Sequence, residues 1–275
     1  MNSTATIAFL GTGSMAGAIL TGLLNSGADA SAITATTRTE ASAERLRNTS
    51  PGVNAVSIAQ DPAANRRAAA KADVVVIGVE PGQAPALLDE IAGSLRPGTL
   101  ILSIVSGLTL ADLEGHIPAG VSLIRAMPNT PARVGAGMTG LAMEEGTPHD
   151  ALQTAVGLFE TSGTVLVIPE SQMDALSAVS GSGPAYFFYF VEQFTEAAER
   201  LGFSHEAART LVETTFTGSA RLLAETGSEP GSLRAAVTSP GGTTEQALAV
   251  LGRKQYEEGL KEALDAAMAH AARQR

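Results

Sequence analysis

The sequence feature that most constrains the fold is a glycine pattern near the amino terminus. Residues 7–17 read IAFLGTGSMAG, an apolar run that leads directly into Gly11, Gly13 and Ala16. This G-x-G-x-x-A spacing between a strand and a helix is typical of dinucleotide-binding units. Gly11 permits the tight turn, Gly13 lets the backbone approach a pyrophosphate, and Ala16 allows the helix to pack closely on the strand. The helix that begins near Ser14 then directs its free N–H groups at the phosphates.

Strand-like and helix-like segments alternate over the first half of the chain, which predicts a parallel sheet wound with helices. Apolar runs such as DVVVIGV at 73–79 suit strands that are buried on both faces. The glycine pattern stands at the first βα unit, which favours cofactor binding over an ordinary strand–helix turn. The predicted strands are 6–10, 33–36, 73–79, 99–104, 121–126 and 165–168, and the predicted helices are 15–25, 41–48, 62–70 and 84–95.

The second half of the chain has a different sequence pattern, because strand-like runs stop after residue 168 and helix-like segments continue. Ser204 is suited to N-cap one of its helices and Gly227 to end the same helix. We therefore predict the α/β fold class, with a Rossmann-type dinucleotide-binding domain over 1–168 and an all-helical domain over 169–275. The predicted helices are 174–179, 185–201, 205–226, 244–251 and 254–272.

The residues after the second predicted strand bear on the choice of cofactor. Folds that select NAD usually place an acidic residue there to bind the ribose 2′-hydroxyl. This chain has Thr36, Thr37 and Arg38 instead, and a guanidinium can grip a 2′-phosphate with two hydrogen bonds. NADP is therefore favoured. Two alternatives stay open, namely that Glu40 faces the ribose and favours NAD, or that Arg38 is only a solvated loop charge.

The composition argues against several other classes of function. The net charge is −10, whereas nucleic-acid and anionic-membrane surfaces need a basic footprint, so neither partner is expected. The absence of cysteine excludes disulfides and thiolate sites, and the four histidines are too scattered to predict a metal site. No apolar run approaches the roughly 18 residues of a membrane span. Since residues 1–6 also lack the features of a targeting signal, we expect a cytoplasmic protein.

Three further segments have compositions that are typical of binding sites. Residues 125–137, RAMPNTPARVGAG, follow a strand and form an irregular loop of the kind in which sites are often built. Residues 180–186, SGSGPAY, open a helix, and residues 237–244, VTSPGGTT, form a glycine-rich turn before another helix. Both of these last segments combine backbone N–H groups with hydroxyls and could therefore bind an anion.

These three segments, in this order after the glycine pattern, resemble the pyrroline-5-carboxylate reductase family over nearly the whole chain. M-P-N-T-P, S-G-S-G-P-A-Y and S-P-G-G-T-T together are far more specific than the glycine pattern alone. The resemblance implies an oxidoreductase acting on a CH–NH group, which reduces L-1-pyrroline-5-carboxylate to L-proline with NADPH or NADH. This reaction is the last step of proline biosynthesis. The resemblance also implies that the helical domain binds substrate and forms a homodimer, which assembles further into a decamer.

The resemblance assigns roles to individual residues. Thr244 would be the catalytic hydroxyl that bonds the ring nitrogen, although it could also N-cap the helix that follows. Asn65, which by position alone would be a helix cap, matches a cofactor-binding asparagine, and Glu80 stands where the family usually has a lysine. The predicted cofactor-binding residues are Gly11, Thr12, Gly13, Ser14, Met15, Thr36, Thr37, Arg38, Asn65, Val79, Glu80, Ser106 and Asn129, and the predicted substrate-binding residues are Glu170, Ser239, Gly241, Gly242, Thr243 and Thr244.

Two other functions stay open on the sequence. A related imine or β-hydroxyacid-type dehydrogenase of the same architecture would need a catalytic lysine or aspartate on a long helix. The segment 185–201 offers Tyr186, Glu192 and Glu196 but no lysine, which disfavours the β-hydroxyacid class. An inactive cofactor-sensing protein is favoured only by Glu80, and the intact run 239–244 argues against it.

Overall fold

The computed structural model describes residues 5–254 and 256–273, and its centre is a single sheet. The sequence predicts no targeting signal in residues 1–6, and residues 1–4 of that segment lie outside the described residues. The strands of the sheet, in chain order, are β1 (Ile7–Leu10), β2 (Ile33–Thr37), β3 (Asn54–Ser57), β4 (Val74–Ile77), β5 (Leu100–Ser103), β6 (Ser122–Met127), β7 (Gly137–Met143) and β8 (Gly163–Val167).

The strands of this sheet follow the order β3-β2-β1-β4-β5-β6-β7-β8. The first six strands are parallel and have the 3-2-1-4-5-6 order of dinucleotide-binding folds. β7 runs antiparallel to β6, and β8 runs parallel to β7. The predicted fold class and all six predicted strands are confirmed, whereas β3 and β7 were missed. β3 is short and begins with an asparagine, and β7 contains two glycines, which weaken the pattern of a strand.

Twelve helices accompany the sheet in the part of the chain that the structure describes. The helices predicted in the first half are confirmed with end shifts of a few residues. The helix Leu110–Glu114, before β6, and the helix His149–Phe159, after β7, were not predicted. The helices are α1 (Ser14–Asn25), α2 (Glu40–Thr49), α3 (Ala64–Lys71), α4 (Ala84–Ala92), α5 (Leu110–Glu114), α6 (His149–Phe159), α7 (Met173–Leu176), α8 (Gly183–Arg200), α9 (His205–Thr226), α10 (Pro230–Ala236), α11 (Thr243–Arg253) and α12 (Tyr256–Arg273).

Both faces of the sheet are covered, which explains the continuous apolar runs of its central strands. In β1, Ile7 and Phe9 point into a cluster with residues of α1 and α6. The alternate residues Ala8 and Leu10 point into a second cluster with residues of α4. All four residues of β4 are also buried. The polar edge of such a sheet, where the strands end, is therefore the natural place for a site.

The chain divides into two compact units, one that extends to Ser182 and includes the residues from Met268 onward, and one over Gly183–Ala267. The sequence placed the boundary earlier, between 168 and 169. The difference arises because Met173 and Leu176, just after the predicted boundary, pack with Leu110 in a cluster of the first unit.

The second unit consists of helices whose ends follow local sequence signals. The Ser204 hydroxyl accepts a hydrogen bond from the Ala207 N–H at 3.3 Å, which confirms the predicted N-cap of α9. Gly227 ends that helix with a φ of +59°, as predicted. The pair Pro230–Gly231 opens α10. Proline is well tolerated in the first turn of a helix, because the N–H that it lacks would have no partner there.

Candidate active site

The ends of β1 and β4 approach each other closely at the switch point of the sheet. Gly11 has a φ of +82°, and a Cβ built on it would lie 2.4 Å from Cγ1 of Val79. A Cβ on Gly78 would lie 3.0 Å from the Gly11 carbonyl oxygen and 3.1 Å from the Ala16 Cβ. Gly78 is thus a site residue that the sequence analysis missed, although its interruption of an apolar run was a signal.

The space in front of Gly13 fits the pyrophosphate of a dinucleotide. A Cβ on Gly13 would have no atom within 4 Å, in contrast to the crowding at Gly11. Gly13 is also the N-cap of α1, and it provides no side-chain capping bond. The first-turn N–H groups of α1, beginning with Ser14, therefore have no intrahelical partner and face this opening with the positive end of the helix dipole. This is the arrangement by which helices bind phosphate groups.

Two buried threonines end β2, and one of them, Thr36, holds the glycine loop in place. Thr36 is 1% exposed, and its hydroxyl accepts a hydrogen bond from the Gly11 N–H at 3.3 Å. Its carbonyl oxygen accepts a hydrogen bond from the Thr12 N–H at 2.8 Å. Thr37 is also buried, and its hydroxyl donates to the Thr39 carbonyl oxygen at 3.0 Å. These contacts favour a positioning role for both threonines, whereas the sequence predicted direct contact with the cofactor.

Arg38 is the residue at this end of β2 that is free to bind an anion. It is exposed and has no hydrogen bond or ion pair with any other described residue. The alternative that Glu40 faces the ribose is not supported, because its carboxylate pairs with Arg47 along α2. Thr39 N-caps the same helix through its contact with the Ser42 N–H at 3.3 Å. The geometry therefore favours NADP through Arg38.

Asn65 carries a buried acceptor that has no partner within the protein. The side chain is 7% exposed, and its Nδ2 lies 3.5 Å from Oε2 of Glu90. Its Oδ1 is buried without a hydrogen-bond partner among the described residues. Asn65 is the second residue of α3 and does not cap it, so the alternative interpretation as a cap is wrong. An unpaired buried acceptor is costly unless a ligand donates to it, which supports the predicted cofactor contact.

Three other predicted cofactor residues follow the ends of β4 and β5 at the same edge of the sheet. Val79 is partly buried and lies against Gly11, while Glu80 and Ser106 are exposed. Met15, in the first turn of α1, packs partly against the core. These positions place the predicted set along one edge of the sheet, and that edge includes the acidic side chain of Glu80.

Asn129 ties the M-P-N-T-P loop to the S-G-S-G segment. Its Nδ2 donates to the Ser180 carbonyl oxygen at 3.1 Å and lies 3.2 Å from the Ser180 Oγ. Its Oδ1 accepts from the Met138 N–H at 2.8 Å. The amide is therefore fully occupied by the protein, so Asn129 is suited to position the loop. The sequence predicted that it contacts the cofactor directly.

Glu170 forms a buried ion pair that the sequence analysis did not anticipate. Its Oε1 lies 2.5 Å from a terminal nitrogen of Arg125, and Arg125 is only 3% exposed. The same oxygen accepts a hydrogen bond from the Leu110 N–H at 3.2 Å. The other carboxylate oxygen is buried and has no partner among the described residues. One carboxylate oxygen thus holds α5 and β6 together, whereas the other has no partner among the described residues, so the contact with substrate stays a prediction.

The predicted substrate loop, residues 237–244, lies in the second unit. The Gly241 N–H donates to Oε2 of Glu245 at 2.8 Å, and the Gly242 N–H donates to the Ser239 carbonyl oxygen at 3.0 Å. The amides of these two glycines were expected to bind the substrate carboxylate, but the loop already uses them. The free N–H groups are those of the first turn of α11, at Thr243 and Thr244.

Thr244 is the second residue of α11, whose N-cap is Gly242. The alternative prediction that Thr244 caps this helix is therefore wrong. Among the described residues its hydroxyl has no hydrogen-bond partner, and the side chain is only partly exposed. The hydroxyls of Ser239 and Thr243 are likewise without partners within the described part of the chain. One short glycine-rich turn thus carries three hydroxyls and two N–H groups without partners among the described residues, which is a set of donors suited to a carboxylate.

The described residues contain neither a cluster of metal ligands nor a membrane-spanning helix. No group of three or more histidine, aspartate or glutamate side chains lies close enough to hold a metal ion within 5–254 and 256–273. None of the helices in those same ranges combines the length and the apolar character that a membrane span requires.

Two family descriptions match this chain. Residues 170–274 match the family described as pyrroline-5-carboxylate reductase dimerisation, and this match begins at the ion-paired Glu170. Residues 6–107 match NADP oxidoreductase, coenzyme F420-dependent, which covers the glycine loop, Arg38 and Asn65.

Similar proteins align with nearly the whole chain. The pyrroline-5-carboxylate reductase of Pseudomonas aeruginosa is 38% identical over 266 residues, which are 96% of this chain and 95% of the relative. The enzyme of that name from Mycobacterium tuberculosis is 36% identical over 286 residues, and the alignment covers 96% of this chain and 94% of the relative.

Solved structures agree with these relatives. A pyrroline-5-carboxylate reductase from Coxiella burnetii is 38% identical, with a TM-score of 0.91 over 98% of each chain. The Plasmodium falciparum pyrroline carboxylate reductase, solved with NADP bound, is 25% identical, with a TM-score of 0.83 over 99% of this chain and 98% of its own. With identity above one third over nearly its whole length, and with the glycine loop and the helical unit both in place, this chain belongs to the pyrroline-5-carboxylate reductase family.

Proposed function

We propose that this protein reduces L-1-pyrroline-5-carboxylate to L-proline, the last step of proline biosynthesis, with NADPH as the preferred hydride donor and NADH as a second donor. The observation that carries the proposal is the open space at Gly13, the N-cap of α1 in the loop that follows β1. It occurs in a chain that is 38% identical to a pyrroline-5-carboxylate reductase over 96% of its length.

The residues of the first unit fit the dinucleotide, which supplies the hydride when it is bound. The first-turn N–H groups of α1 would bind the pyrophosphate, and Arg38 would bind the 2′-phosphate of the adenosine ribose. The unpaired Oδ1 of Asn65 would accept a hydrogen bond from the adenosine half. Thr36 would keep the glycine loop in the required shape, and Thr37 would hold the turn that follows β2.

The residues of the turn at 237–244 fit a small cyclic imine that carries a carboxylate. The hydroxyl of Ser239 and the N–H groups of Thr243 and Thr244 would bind the carboxylate. The hydroxyl of Thr244 would bond the ring nitrogen and hold the proton there. A protonated imine is already a good hydride acceptor, so the site needs no strong acid. Most of the rate enhancement would come from holding the two reactants in the correct orientation.

The two alternative functions are less well supported. α8 contains neither a lysine nor an aspartate that could act as the catalytic residue of a β-hydroxyacid dehydrogenase. A cofactor sensor without activity would not need the donors of the 237–244 turn, which are intact here. Glu80 is exposed beside the cofactor edge of the sheet, and we propose that it lowers the affinity for the cofactor without abolishing it.

We also propose a homodimer formed through the helical domain, with a decamer as the larger assembly, and a division of roles between residues 1–168 and 169–275. The match to the dimerisation family begins at residue 170, which supports the homodimer and the boundary before residue 169. Several large apolar side chains of α8 are exposed in the single chain, including Phe188 at 58% and Tyr189 at 63%. Apolar surface of this kind is characteristic of obligate interfaces. Light scattering of the purified protein would distinguish a dimer from a decamer.

An absorbance assay tests the proposed reaction. With L-1-pyrroline-5-carboxylate present, we expect the purified protein to oxidise NADPH faster than NADH, and to oxidise neither cofactor when the imine is omitted. Folded protein that binds NADPH but consumes none with this substrate would contradict the proposed reaction and favour the sensing role. Reduction of NADP⁺ by a β-hydroxyacid, without any oxidation of NADPH by the imine, would favour the β-hydroxyacid dehydrogenase class.

Arg38→Ala should change the cofactor preference. Loss of a charge-assisted hydrogen bond of about 1.5–3 kcal/mol should raise the KM for NADPH roughly tenfold or more. The KM for NADH should stay nearly unchanged, because NADH lacks the 2′-phosphate. Arg45→Ala is the matched control, since Arg45 is an exposed arginine of α2 that contacts only Ser42 and Thr49 through described bonds. An equal rise of both KM values would contradict the assignment of Arg38 to the 2′-phosphate.

A further inference from the structure

Arg133 lies at the N-terminus of α1, although it is 119 residues away from Ser14 along the chain. It belongs to a short 3-10 turn, Thr130–Val134, that follows β6. Its guanidinium donates a hydrogen bond to the hydroxyl of Ser14, the first residue of α1. None of the motifs considered in the sequence gave this arginine a role, because nothing local indicates that the turn meets the glycine loop.

The turn that carries Arg133 is held firmly. Its Ala132 is 2% exposed, and a Cβ built on Gly137 would lie 2.9 Å from Ala132. Gly135 ends the turn with a φ of +72°. The base of the Arg133 side chain is therefore fixed, so the guanidinium stands beside the α1 N-terminus without any movement of the loop.

The charge of Arg133 is not compensated by the protein. No carboxylate of the described residues forms an ion pair with it, although the chain contains 28 acidic residues and has a net charge of −10. The N-terminus of a helix carries positive partial charge, which disfavours a nearby cation. A cation and a helix N-terminus that share one opening reinforce each other only when an anion lies between them.

We propose that Arg133 binds the pyrophosphate of the dinucleotide cofactor, together with the first-turn N–H groups of α1. This assignment rests on the proposed function, since it needs a dinucleotide at Gly13. The guanidinium has five N–H donors, and the contact with Ser14 uses one side of it, so a pair of donors is left for phosphate oxygens. The exposed position of Arg133 lets the phosphate reach it directly.

The pyrophosphate is common to NADPH and NADH, so Arg133 should act on both cofactors equally. Arg38, which faces the 2′-phosphate in our proposal, should act on NADPH alone. The two arginines therefore have different signatures in a binding experiment. The ratio of the two dissociation constants separates a pyrophosphate contact from a 2′-phosphate contact without any measurement of turnover.

Arg133→Gln and Arg133→Lys, with Val134→Ala as the control, test the proposal by titration of NADPH and NADH fluorescence. Val134 is the adjacent residue and is 80% exposed. We expect Arg133→Gln to raise both dissociation constants roughly tenfold and to leave their ratio unchanged, because a charge-assisted contact to a shared group is lost. Arg133→Lys should retain part of the affinity, and Val134→Ala should retain all of it.

Thermal unfolding supplies the second readout. Without cofactor, Arg133→Gln should unfold at the same temperature as the wild type or slightly above it, since a cation is removed from a helix N-terminus. With saturating NADPH, the rise in melting temperature should be smaller than for the wild type. Unchanged dissociation constants in Arg133→Gln, or a change for NADPH alone, would overturn the proposal. Failure of the wild-type protein to bind either cofactor would overturn the proposed function itself.

Discussion

Arg125→Met is expected to lower the free energy of unfolding by about 3 kcal/mol or more, because it leaves a largely buried carboxylate without its counter-charge. The side chains of Arg125 and Glu170 are 4% and 28% exposed, and their charged atoms are 2.5 Å apart. Methionine preserves most of the volume, so the loss reports the charge pair rather than a cavity. Urea unfolding at one fixed protein concentration, followed by circular dichroism, would measure the change.

The exposed pair between Arg47 and Glu40 provides the matched control for this prediction. Its side chains are 43% and 44% exposed, so Arg47→Met should cost less than about 1 kcal/mol. The double variant Arg125→Met with Glu170→Gln should be more stable than the sum of its two single changes predicts, since both uncompensated charges are then absent. Equal losses for Arg47→Met and Arg125→Met would show that burial does not strengthen the Arg125 pair.

The parts of the fold that the sequence predicted correctly are those that depend on local pattern. β4 is buried on both faces and reads as a continuous apolar run, and the glycine loop is followed by a helix at the expected position. β7 was missed because Gly137 and Gly140 resemble loop residues. Both glycines are required by packing, since a Cβ on Gly140 would lie 2.4 Å from Leu176 and a Cβ on Gly137 would meet Ala132.

The contacts that escaped prediction at the site join distant parts of the chain. Asn129 reaches Ser180 across 51 residues, and Arg125 reaches Glu170 across 45 residues. No periodicity or turn signal reports which side chain meets which across such separations. Family resemblance selects the candidate loops, but it does not say whether an amide or a carboxylate in them faces a ligand or another part of the protein.

Thr244→Ala is expected to lower turnover by about a hundredfold while the affinity for NADPH stays unchanged. A positioned proton donor contributes roughly 10²–10⁴ to a rate, and an imine that is protonated from solution retains part of its reactivity, which places the effect near the lower end. The hydroxyl of Thr244 has no hydrogen-bond partner among the described residues, so its removal should not disturb α11. Steady-state kinetics with L-1-pyrroline-5-carboxylate, and a separate NADPH titration, would measure the two quantities.

Two further variants separate the role of the Thr244 hydroxyl from the shape of its side chain. Thr244→Ser keeps the hydroxyl and should retain turnover within about tenfold of the wild type, because the donor is the same although its rotamer is less restricted. Thr243→Ala removes the neighbouring exposed hydroxyl, which has no contact with the substrate in our proposal, and keeps the N–H that binds the carboxylate. It should therefore leave both turnover and the KM for the substrate nearly unchanged. Unchanged turnover in Thr244→Ala would remove this residue from the mechanism. Equal losses of turnover in Thr244→Ala and Thr243→Ala would indicate that the two hydroxyls act together on the carboxylate and that the ring nitrogen takes its proton from water.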